Sequence, residues 1–112
     1  MLKISVLLVV FAVVFLFPIA PSGAQEMGSP AAGEAYAKRI CIECHGISDK
    51  VEMSPNLTAP SFKEIADTRG MTRQALLVWF RTPHPTMPNL VLEMQNEEDI
   101  IAYILSLKKT DE

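Results

Sequence analysis

Cys41, Cys44 and His45 are the residues of this sequence whose types and spacing can do chemistry, in the run Cys41-Ile42-Glu43-Cys44-His45. Two thiols three positions apart, with an imidazole directly behind the second, form the C-x-x-C-H pattern of covalent c-type haem attachment. The spacing has a physical reason. Thiols at that separation add to the two vinyl groups of one porphyrin and form thioethers, while the adjacent imidazole lies under the iron and offers it a nitrogen. One residue more or less would misplace that imidazole. A thioredoxin-like dithiol also uses C-x-x-C but needs a βαβ framework, and no strand pattern is visible. Zinc would require a further ligand, and His84 is the only other histidine. A disulfide between the only two cysteines would close a tiny loop. The thiols are better explained by an iron-bearing cofactor, haem c, one per chain.

Elements that must position these residues can be read on both sides of the motif. Gly33, Tyr36, Ala37 and Ile40 fall at i, i+3, i+4 and i+7, which predicts a helix from about residue 31 running directly into Cys41. Residues 25–30 read as a flexible lead-in. Residues 46–60 hold Ser, Asp, Pro55-Asn56 and Thr58 without a sustained period, so they predict an extended loop, long enough to wrap something. Ser61 and Glu64 have capping-box spacing ahead of Phe62, Ile65 and Ala66, which predicts a helix of one or two turns. Past Gly70, Thr72 can cap a helix over residues 72–81 with Leu76, Trp79 and Phe80 on one face, and Pro83 stops it. Pro83, Pro85 and Pro88 make residues 83–89 a stiff loop. Asn96 is expected to cap the last helix. Glu97, Glu98 and Asp99 would complement its dipole, and Ile100, Tyr103, Ile104 and Leu107 would be its apolar face. The domain is expected to be all-α, with about four short helices.

The first residues have a different character. Lys3 precedes an apolar run over residues 4–17, Pro18 ends it, and Ser22-Gly23-Ala24 supplies small residues where a signal peptidase cuts. Residues 1–24 are therefore expected to be a cleaved secretory signal, leaving residues 25–112 as one exported, periplasmic domain. The alternative is an uncleaved membrane anchor facing the same compartment. The whole chain carries 10 basic and 13 acidic side chains for a net charge of −3, and loss of Lys3 makes it −4. Such a charge argues against a nucleic-acid partner. A domain this small has a marginal apolar core, which a buried cofactor would supplement.

Several segments together resemble a class I cytochrome c of the small bacterial type. Besides C-x-x-C-H they are Gly33-x-x-Tyr36, Ala59-Pro60-Ser61-Phe62, Trp79 with Pro83-His84-Pro85-Thr86-Met87-Pro88, and Ala102-Tyr103-Ile104-x-x-Leu107. The resemblance covers essentially all of residues 25–112, with Ala59 standing where many relatives have glycine. It implies the cytochrome c fold wrapped around one covalent haem, with His45 as proximal and Met87 as distal iron ligand. The residues themselves agree on Met87, because flanking Pro85 and Pro88 lower the entropy lost on fixing its loop. Met53, Met71 and Met94 lack such support, and His84, three residues away, is the competitor. The resemblance also implies that the Pro60 carbonyl accepts the Nδ1 proton of His45, and that Gly33 and Tyr36 meet Tyr103 and Leu107 where the first and last helices cross. Trp79 would either donate to a haem propionate or pack in the core.

With both axial positions filled, iron is left with the gain and loss of one electron. The expectation is therefore an electron carrier and not an enzyme, with redox proteins as donor and acceptor and no small-molecule substrate. It would be a monomer or a subunit of a respiratory complex. A subunit docked on a dehydrogenase or oxidase is the alternative, as is a ligand sensor with a dissociable methionine.

Overall fold

A computed structural model of the chain describes residues 27–50 and 52–109. The secretory signal expected over residues 1–24 lies outside the described residues. Ser29 starts the first helix by accepting the Ala32 amide on its hydroxyl at 3.3 Å, and Pro30 occupies the first helical position, where its missing donor costs nothing. Helix α1, Pro30–Ile40, therefore begins earlier than its apolar period suggests. The end of the lead-in is anchored as well. Ser29 donates its amide to Asp99 at 2.7 Å, and Gly28, at a φ of +84°, lies against the Glu98 backbone so closely that no side chain would fit.

Three further helices follow: α2, Phe62–Asp67; α3, Arg73–Arg81; and α4, Met94–Ser106. Every element among the described residues is a helix, so this part of the chain is all-α. The Ser61–Glu64 capping box is formed in both directions, and Thr72 caps α3 through the Ala75 amide. Thr82 ends α3 immediately before Pro83.

The start of α4 corrects the expectation. Glu93 is its N-cap and makes no side-chain cap bond, while Asn96 sits inside the first turn. The acidic residues that follow make contacts with other elements. Glu97 accepts the guanidinium of Arg81 on both oxygens, at 2.8 and 3.1 Å. Glu98 does the same for Arg73, with one of its bonds at 2.9 Å. Buried Asp99 takes the Ser29 amide and the Gln95 side chain.

Packing centres on α4. Ile100, Ile101, Tyr103, Ile104 and Leu107 are buried together with Ala37 of α1, Phe62 and Ala66 of α2, Leu76 of α3 and Ile47. Gly33 lets α1 lie directly on the Asp99–Tyr103 stretch of α4, so the Gly33–Tyr103 part of the crossing that the resemblance implies is formed. Trp79 departs from its expected face: Leu76 is buried and Phe80 packs against the core, but Trp79 is 55% exposed. Core packing is not its role. Among the described residues no helix is long and apolar enough to cross a membrane.

Candidate functional site

Helix α1 delivers the motif without a linker. The Cys41 amide still bonds the Ala37 carbonyl at 2.8 Å, and the Cys41 carbonyl then accepts from Cys44 at 3.2 Å and His45 at 2.9 Å. Cys41, Cys44 and His45 therefore belong to one tight turn. The thiols are free; Cys41 is half-buried and Cys44 exposed. Burial pushes the Cys41 thiol up to about 11, so at neutral pH it is protonated.

That protonation bears on chemistry. A redox dithiol works through a readily formed thiolate, and burial disfavours that form at Cys41. Zinc finds no support either, since among the described residues no three His, Cys, Asp or Glu side chains converge as ligands.

His45 is fixed from several directions by the segment that follows it. Its Nδ1 lies 2.7 Å from the Pro60 carbonyl oxygen, the contact that the resemblance implies, and with Nδ1 donating, Nε2 keeps its lone pair for a metal. On either side of the imidazole the backbone is tied to the same loop. The Cys44 carbonyl accepts from Asn56 at 3.2 Å, the Gly46 amide donates to the Ser54 hydroxyl at 3.0 Å, and the Gly46 carbonyl accepts from Phe62 at 2.8 Å. Phe62 also places its ring 5.6 Å from that of His45 and 6.3 Å from that of Tyr103, whose hydroxyl donates to the Ile47 carbonyl at 2.6 Å. Ser54 and Asn56 carry no signal of this in the sequence, because they sit in an aperiodic loop. Phe62 is marked there by an apolar stripe and by the segment Ala59-Pro60-Ser61-Phe62, neither of which announces its contact with His45.

Met87, His84 and Trp79 form a second group in and beside the proline loop. Met87 is half-buried and, with Pro83, His84, Pro85 and Asn89, lines a cavity of about 410 Å³. The His84 ring is held by its Nδ1, 2.9 Å from the Thr82 carbonyl, and meets the Trp79 ring edge-on at 5.2 Å. No hydrogen bond or ring contact among the described residues joins this group to the Cys41–His45 turn.

No family model, no curated protein and no solved structure matches this chain.

Proposed function

We propose that this chain is an exported electron-transfer protein that carries one covalently attached c-type haem. The reading is carried by one observation: an imidazole whose Nδ1 is engaged by the Pro60 carbonyl, leaving Nε2 for iron, on the same turn as two free thiols in C-x-x-C-H spacing. Cys41 and Cys44 would hold the haem through thioethers, His45 would be its proximal ligand, and Met87, on its proline-stiffened loop, its distal one. Haem bound in this way supplies the gain and loss of a single electron at iron. The polypeptide would hold the group and fix the tautomer of His45 through Pro60. Ile40 and Ile42, on either side of Cys41, are nearly half exposed at 45% and 46%, an apolar margin suited to the face of a porphyrin. Donor and acceptor would be redox proteins, and the acidic mature chain suits a partner with a basic face.

The intact mass of the exported protein tests this. It should equal residues 25–112 plus one haem, and the colour should survive acid-acetone extraction. Cys44→Ala should leave mostly unfolded or degraded chain. A colourless protein of unmodified mass sinks the proposal, whereas haem on an uncleaved chain from residue 1 alters only the mode of export.

A further inference from the structure

Two bidentate ion pairs join α3 to α4, one at each end of α3. Arg73, the first residue of the helix, pairs with Glu98, and Arg81, the last, pairs with Glu97. The two arginines are eight positions apart, about 12 Å along the helix axis. Only one of the pairs adjoins the loop that bears Met87.

That loop is stiff over its prolines. Pro83, Pro85 and Pro88 restrict its dihedrals, and the His84 ring bonds back to the Thr82 carbonyl. A segment of this kind keeps its internal shape, so its position depends on what holds its flanks. Arg81 and Glu97 line a cavity of about 460 Å³ together with Thr82 and Pro83, where the loop leaves α3, and with Asn89 and Leu90, which follow its last proline on the way to α4. The Glu97 side chain is 7% exposed and that of Arg81 63%, so the carboxylate is a fixed point inside the fold and the guanidinium a clasp laid over it from outside. Arg81 is held charged, above the usual range, by its hydrogen bonds to Glu97.

We infer that Arg81 and Glu97 are positioning residues that hold the Met87 loop in place, whereas Arg73 and Glu98 only staple the two helices. The inference rests on the proposed distal role of Met87. A fork gripping a fixed carboxylate tolerates neither loss of the charge nor loss of its planar geometry. Without it the loop end is released and the distal position opens more often.

The test compares Glu97→Gln and Arg81→Gln with Glu98→Gln in the haem-loaded protein. Arg81 is the safer site, since its side chain is mostly exposed. The readouts are carbon monoxide association with the reduced protein, the iron–sulfur charge-transfer absorption of the oxidised protein, and amide exchange at His84, Thr86, Met87 and Asn89. Glu97→Gln and Arg81→Gln should bind carbon monoxide about tenfold faster, in proportion to the enlarged open population, with a weaker absorption and faster loop exchange. Glu98→Gln should match wild type in all three although its melting temperature falls. The inference is overturned if the three variants behave alike while wild type carries its haem and its iron–sulfur band. Wild type with haem but without that band overturns the ligand role of Met87 instead, and wild type without haem overturns the proposed function.

Discussion

Gly33 of α1 and Asp99 of α4 touch backbone to backbone. A Cβ at position 33 would overlap the Asp99 carbonyl oxygen and lie 2.8 Å from Tyr103 Cβ, so the two helices approach to a distance that only glycine permits. This crossing sets the far end of α1, and α1 runs directly into the Cys41–His45 turn. Position 33 and the site are thus linked through one rigid element.

Gly33→Ala should therefore destabilise the protein despite the better helix propensity of alanine. Overpacking against backbone cannot be relieved by a rotamer change, and the expected net loss is about 2 kcal/mol. Denaturant unfolding of the two proteins measures it. Unchanged stability would mean that the helices separate freely, contrary to the close crossing.

Acid should weaken α2 and, with it, the support of His45. Glu64 is held below its usual 4.5 by accepting from the Ser61 amide and hydroxyl, and Asp67 below 3.8 chiefly by Lys63 and the Lys109 amide. Carboxyl groups with depressed values in the folded state stabilise it above their unfolded values, and the contribution is lost as pH falls through the folded ones. Stability should thus decline as pH drops from about 4.5. Ser61 follows Pro60 directly, so the box also steadies the carbonyl that His45 uses. A Glu64→Gln protein should show a shallower decline in melting temperature over that range, and an equal slope would remove Glu64 from the explanation.

Local signals in the sequence were legible because their partners lie within a turn. Ser61 with Glu64 and Thr72 with the Ala75 amide are contacts three residues apart, and each forms as the spacing predicts. The Gly33 crossing and the His45–Pro60 bond were reachable through the family resemblance. The acidic run at 97–99 was not, because its residues satisfy Arg81, Arg73 and Ser29, whose distances along the chain no local pattern encodes. Those contacts, and not a cap at Asn96, accompany the start of α4 at Met94. Of the two readings of Trp79 the core one fails for a related reason, since helical periodicity puts it beside Leu76 and Phe80 but does not reveal that His84 meets it outside the core.

Met87 and His84 line one cavity, so the two candidates for the distal position have to be told apart by their chemistry. The His84 ring is engaged at Nδ1 by the Thr82 carbonyl and packs against the ring of Trp79, and with Nδ1 donating its Nε2 keeps a lone pair as that of His45 does, so His84 is the competitor that a variant must eliminate. Met87 lines this cavity with His84, Pro83, Pro85 and Asn89, and the prolines on either side of it stiffen the loop that carries its thioether. Met87→Ala should accordingly lose the iron–sulfur charge-transfer absorption of the oxidised protein while His84→Ala keeps it. Thioether sulfur favours Fe(II), so the reduction potential of Met87→Ala should fall by on the order of 0.1 V, a fraction of the roughly 0.8 V that axial ligands span. Carbon monoxide gives the sharper comparison. If only Met87→Ala binds it after reduction, the sixth position is normally closed and a carrier fits. If wild type binds it as readily at neutral pH, no protein ligand guards the iron, and a ligand sensor replaces the carrier.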